Sequence, residues 1–138
     1  MALDAAASRR MFFGLLATVA GGVLAFRVFR AKPKPAPVAI AANPKLLRGS
    51  EIYQERCASC HGATGRGDGP TARVLQGPPP GNFTNAHWKH GDRPDQVERV
   101  IGAGVRDTAM PGWDQTLSRG DMQAVLAYVY HLAGRPVP

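Results

Sequence analysis

The sequence predicts an all-α domain behind an apolar N-terminal segment, and three observations carry that prediction. Val125, Tyr128, Val129 and Leu132 recur at i, i+3, i+4 and i+7, the period of one helix face. Helix-start signals stand at Asn43-Pro44, at Pro94 and at Ser118-x-x-Asp121. No stretch alternates apolar and polar residues with the period of two that a half-buried strand needs.

Taken in order, Asn43 caps a first helix with proline in its opening turn, running to about Cys57. Gly49 and Tyr53 lie four residues apart on it. A middle helix runs from Pro94 to about Ile101, carrying Val97, Val100 and Ile101, before Gly102 and Gly104 break it. The last helix opens at the Ser118–Asp121 capping box and stops at Gly134. Residues 62–81 hold six glycines and four prolines and read as loop.

At 138 residues the chain holds one domain and an appendage. The net charge of +7 divides unevenly. Six basic residues against Asp4 leave +5 in residues 1–34, and 11 basic against 9 acidic groups leave +2 in the rest. The basicity flanks an apolar run, which is a targeting or membrane pattern rather than a nucleic-acid footprint. Residues 1–10 form the basic flank, residues 11–29 an anchor or a cleaved signal sequence, and residues 30–44 a proline-rich spacer. Met11–Phe26 is uncharged over 16 residues, and extension to Phe29 lets it just span a bilayer core. The small-residue cleavage candidates, Val23-Leu24-Ala25 and Ala39-Ile40-Ala41, are poorly placed, which favours an anchor. The domain itself is expected over residues 45–134, with a short tail over 135–138.

The only two cysteines stand in Cys57-Ala58-Ser59-Cys60-His61. C-x-x-C-H is the attachment sequence of c-type haem. Two thiols at this spacing form thioethers to the two vinyl groups of one porphyrin, and the following imidazole reaches the iron. One haem c, held by Cys57 and Cys60 with His61 as an iron ligand, is therefore expected. A thioredoxin-like site needs a βαβ context that is missing. Zinc held with His87 and His90 would use a tighter histidine spacing than usual and leave His61 unexplained.

With these motifs in place, residues 46–133 resemble the class I cytochromes c. The likeness is to small bacterial monohaem domains similar to those of cbb3-type oxidases. It rests on Gly49-x-x-x-Tyr53, Cys57-x-x-Cys60-His61-Gly62 and Gly65-Arg66-Gly67-Asp68-Gly69-Pro70. Further on it rests on Pro80-Gly81-Asn82-Phe83-Thr84, Met110-Pro111-Gly112-Trp113 and Tyr128-Val129. The resemblance implies three to four helices around one haem, with the first and last crossing at Gly49 and Tyr53. It implies that the Pro70 carbonyl accepts a hydrogen bond from His61, and that the loop Thr108–Trp113 delivers a sixth ligand. That ligand is expected to be Met110, with His87 or His90 as alternatives; Met122 and His131 read as ordinary helix residues. Phe83, Trp88 and Trp113 read equally as pocket walls or as core.

The function so implied is one-electron transfer between membrane redox complexes, or from a dehydrogenase to an oxidase, without catalysis. Its place would be the outer, periplasmic side of a bacterial membrane, tethered or soluble after cleavage. Permanent docking as a haem subunit in a larger oxidoreductase is the competing reading. A catalytic haem protein is a weaker one, because peroxidases of related fold use two haems and this chain has one motif. The partners expected are a protein electron donor and acceptor.

Overall fold

The computed structural model describes residues 38–138, so the expected anchor and most of the spacer lie outside the described residues. Five α-helices and one 3-10 turn follow in order: α1 Val38–Ala41, α2 Pro44–Arg56, α3 Ala58–His61, the turn Pro70–Val74, α4 Pro94–Ala103 and α5 Arg119–Leu132. No strand occurs among the described residues. The all-α class expected from the sequence is the observed one among the described residues.

The helix starts follow from local chemistry. Asn43 Oδ1 accepts from the N–H groups of Lys45 at 3.0 Å and Leu46 at 3.2 Å, while Pro44 has no N–H to leave unpaired. Ser118 Oγ accepts from the Asp121 N–H at 3.1 Å. The Asp121 carboxylate accepts from Arg48 Nε at 2.7 Å, tying the first turn of α5 to α2.

The α2–α5 crossing forms the centre of the fold. A Cβ at Gly49 would overlap the Ala124 carbonyl, so only glycine lets the two backbones approach this closely. Tyr53 beside it is fully buried, its ring centroid 5.3 Å from that of Tyr128. Its hydroxyl donates to the Gly62 carbonyl at 2.8 Å.

Three features differ from the sequence expectation. The last helix buries every residue from Ala124 to Tyr130, not one face, because α2, α4 and the ring of Trp88 each cover a side of it. Gly102 does not break α4. It sits buried in the last turn, and its carbonyl accepts from Trp113 N–H at 2.9 Å and Asp114 N–H at 3.2 Å. The stop comes at Gly104, at φ +73°. Finally, Ile40, within the expected spacer, is 4% exposed and belongs to the core, since the alternating prolines end at Pro37 and leave Val38–Ala41 free to coil.

Candidate cofactor site

The cysteine motif is a tight helical turn continuing from α2. Cys57 N–H donates to Tyr53 O, His61 N–H to Cys57 O and Gly62 N–H to Ala58 O, each at 2.9 Å. The turn brings Cys57, Cys60 and His61 to one cavity of about 340 Å³, within the range of small-molecule and cofactor sites. Both thiols are free and half-buried. Burial, reinforced by the neighbouring Cys60, pushes the Cys57 thiol up to about 11. Burial also lowers the His61 pKa, opposed by the Gly81 carbonyl. His61 Nδ1 lies 3.3 Å from that carbonyl oxygen, which can only accept, so Nδ1 carries the proton and Nε2 keeps its lone pair. Phe83 stacks on the imidazole at 4.7 Å between centroids, 24° from parallel.

Here the structure departs from the resemblance. The carbonyl facing His61 is that of Gly81, not Pro70. Pro70 opens the 3-10 turn and does not line the cavity. Gly69, just before it, packs so closely on the Ser59 carbonyl that a Cβ would overlap it, which pins this stretch against the backbone of α3. The Gly69 N–H donates to Cys60 O at 3.1 Å, and that of Gly67 to His61 O at 2.8 Å. Both Pro70 and Pro80-Gly81 belong to the same glycine- and proline-rich loop, and sequence pattern alone does not separate them.

Met110 reaches the same cavity from the loop after α4. Thr108 Oγ1 donates to Val105 O at 2.8 Å and accepts from the Met110 N–H at 3.1 Å, while Val105 N–H donates to Met110 O at 3.1 Å. Met110 is half-buried in this closed loop. Met122 instead packs near Gly102, and His131 stacks on Tyr128 at 5.9 Å; neither lines the cavity. His87 and His90 line it as exposed residues. Phe83, Trp88 and Trp113 line it as well and also pack on the core, so both readings of these aromatics hold. Among the described residues, no three of His, Cys, Asp and Glu gather closely enough to share a metal, so Cys57, Cys60, His87 and His90 do not form a zinc set.

The donor set suits haem. Two thiols and an imidazole share the cavity with a thioether, the walls include Val97, Val100, Ile101 and Val129, and no carboxylate of the described residues lines it. The family described as cytochrome c oxidase, cbb3-type, subunit III, matches residues 44–129. The chain belongs to this family. It is 33% identical over 91 residues to the cbb3-type cytochrome c oxidase subunit CcoP of Azospirillum sp. (strain B510), covering 65% of this chain and 29% of that protein. It is 37% identical over 87 residues to CcoP of Cereibacter sphaeroides, covering 62% and 27%. The chain thus spans under a third of the length of these curated relatives. Among solved structures it is similar to a chain of the Kuenenia stuttgartiensis reducing HAO-like protein complex Kustc0457/Kustc0458. That match has TM-score 0.60 and 33% identity, covering 75% of this chain and 52% of that one. Membership in the family makes this a c-type cytochrome domain.

Two contributors escaped the sequence reading. Gly81 acts through its backbone carbonyl, for which side-chain pattern gives no signal. Arg135, in the expected tail, packs on Trp88; its only sequence signal is a cation just past a helix stop.

Proposed function

We propose that the protein is a one-electron carrier with a single haem c, bound through thioethers to Cys57 and Cys60, with His61 and Met110 as the two axial ligands. The observation that carries this reading is the meeting of these four side chains at one apolar cavity. When bound, haem supplies a reversible one-electron couple. His61, neutral and oriented by the Gly81 carbonyl, offers Nε2 as the ligating atom. The thioether of Met110 is a soft donor that favours the ferrous state and raises the potential. If His61 and Met110 both held the iron, no position would be left for a substrate, which suits transfer rather than catalysis. The closed Val105–Met110 loop fixes the backbone that presents Met110, so little of it would have to reorganise when the charge changes.

Haem that stays with the polypeptide through acid–acetone extraction is the expected result; extractable haem overturns the assignment. Met110→Ala removes the sulfur–iron absorption near the red end of the ferric spectrum and lowers the potential. Persistence of that band assigns the ligand elsewhere, with His87 and His90 next in line.

A second reading, a haem subunit docked in an oxidase, is supported by the relatives, which are oxidase subunits several times the length of the matched region. Co-migration of the haem with an oxidase on native gels of solubilised membranes supports docking, and migration alone supports a carrier. In either case the expected place is the outer face of the cytoplasmic membrane, with residues 11–29 as anchor. Mass spectrometry of the mature N-terminus separates anchor from cleaved signal.

A further inference from the structure

Arg135 lies beyond the last residue of the family match, yet three of its contacts fall on one segment. Nη1 donates to Asp92 Oδ2 at 2.8 Å, Nη2 donates to the Ala86 carbonyl at 2.7 Å, and the guanidinium carbon sits 4.6 Å from the centre of the Trp88 ring. Its own N–H donates to the Tyr130 carbonyl at 3.0 Å, fixing it to the end of α5. From the same helix, the Tyr130 hydroxyl donates to the Asp92 carbonyl. Segment 86–92 has no helix of its own, so discrete contacts set its position. Through His87, Trp88, Lys89 and His90 it forms one wall of the cavity.

We propose that Arg135 is a positioning residue of the cofactor pocket: by clamping segment 86–92 to the end of α5, it holds Trp88 and Lys89 at the cavity wall and raises the redox potential. The inference rests on the haem reading above. Ferric haem carries one more positive charge than ferrous haem. Water admitted past a loosened Trp88 favours the ferric state, and a cation held in the wall disfavours it. Release of the segment therefore lowers the potential through both effects. A lysine cannot replace the fork, because one ammonium does not donate to Asp92 and Ala86 while lying flat on an indole.

The test is redox titration of the full-length holoprotein, with covalent haem content and the ferric spectrum read on the same samples. In Arg135→Ala the reduced-to-oxidised ratio at a fixed ambient potential is expected to fall about three- to tenfold, tenfold being 59 mV for one electron. Arg135→Lys recovers only part of the shift, and Asp92→Asn, which keeps the Ala86 and Trp88 contacts, shows a smaller one. Potentials equal to wild type in Arg135→Ala, with haem attached and the ferric spectrum unchanged, overturn the proposal and leave Arg135 a surface staple. Where Arg135→Ala does not accumulate, unchanged potentials in both Arg135→Lys and Asp92→Asn overturn it equally. Wild-type protein without covalent haem overturns the haem reading and this proposal together.

Discussion

Around the α2–α5 crossing, Gly49, Tyr53, Val125 and Tyr128 are buried against one another and held by packing. The segments that wall the cavity, 62–92 and 104–114, bury little and are held by single hydrogen bonds such as Phe83 N–H to Gly65 O at 2.7 Å and Trp88 Nε1–H to Phe83 O at 3.0 Å. Damage to the first region removes close-packed apolar contact and should appear as lost stability. Damage to the second shifts a few groups at the cofactor and should appear mainly in its spectrum and potential. Packing and the cavity walls thus fall to different parts of the described residues.

The comparison breaks most visibly at Gly49. Gly49→Val forces a branched side chain into the Ala124 backbone and is expected to cost about 3 kcal/mol or more by denaturant unfolding. A loss under about 1 kcal/mol would mean that the helices slide apart without penalty. Tyr53→Phe keeps the ring but removes one of two donors to the Gly62 carbonyl, the Gly65 N–H at 3.2 Å remaining, and is expected to cost about 0.5–1.5 kcal/mol. Because this residue joins the two regions, its variant should also disturb the ferric spectrum; an unchanged spectrum would sharpen the division instead. Loss of either helix cap, in Asn43→Ala or Ser118→Ala, is worth about 1 kcal/mol in the melting curve and nothing in the potential.

The smallest effect is in pH. A side-chain hydrogen bond from Arg135 lowers the Asp92 pKa, and one from Arg48 lowers that of Asp121. With folded values below unfolded ones, both contribute stability above the ordinary carboxylate range and lose it as pH falls through the folded values. Asp92→Asn and Asp121→Asn should each flatten the acid limb of a stability–pH curve. Equal acid sensitivity in wild type and variants would show that neither ion pair is linked to folding.

Helix starts and the crossing were legible because they depend on short-range signals: Asn43-Pro44, Ser118 with Asp121, and Gly49 four residues before Tyr53. The cysteine motif was legible because its short spacing, Cys57-x-x-Cys60-His61, puts three donor side chains on one helical turn at one cavity. Gly81 was not, because any carbonyl can accept and only the path of the loop decides which one arrives. Gly102 misled because a glycine near a helix end reads as a stop, while here its carbonyl serves the Trp113 and Asp114 N–H groups and the helix ends at Gly104. Arg135 was hidden for a related reason: its partners lie 43 and 49 residues away, beyond any local pattern.

The crossing also has a consequence in time. Tyr53 and Tyr128 are separated by about 75 residues, so their contact closes late and at an entropic cost that local helices do not meet. Until the last helix has been made, the turn that follows Tyr53 lacks the cover of Val125 and Val129. The Cys57 thiol then keeps its ordinary acidity and its access to reagents, and rises to about 11 only once the core has shut. The order in which the chain folds therefore sets the interval in which the Cys57 thiol is open to reaction.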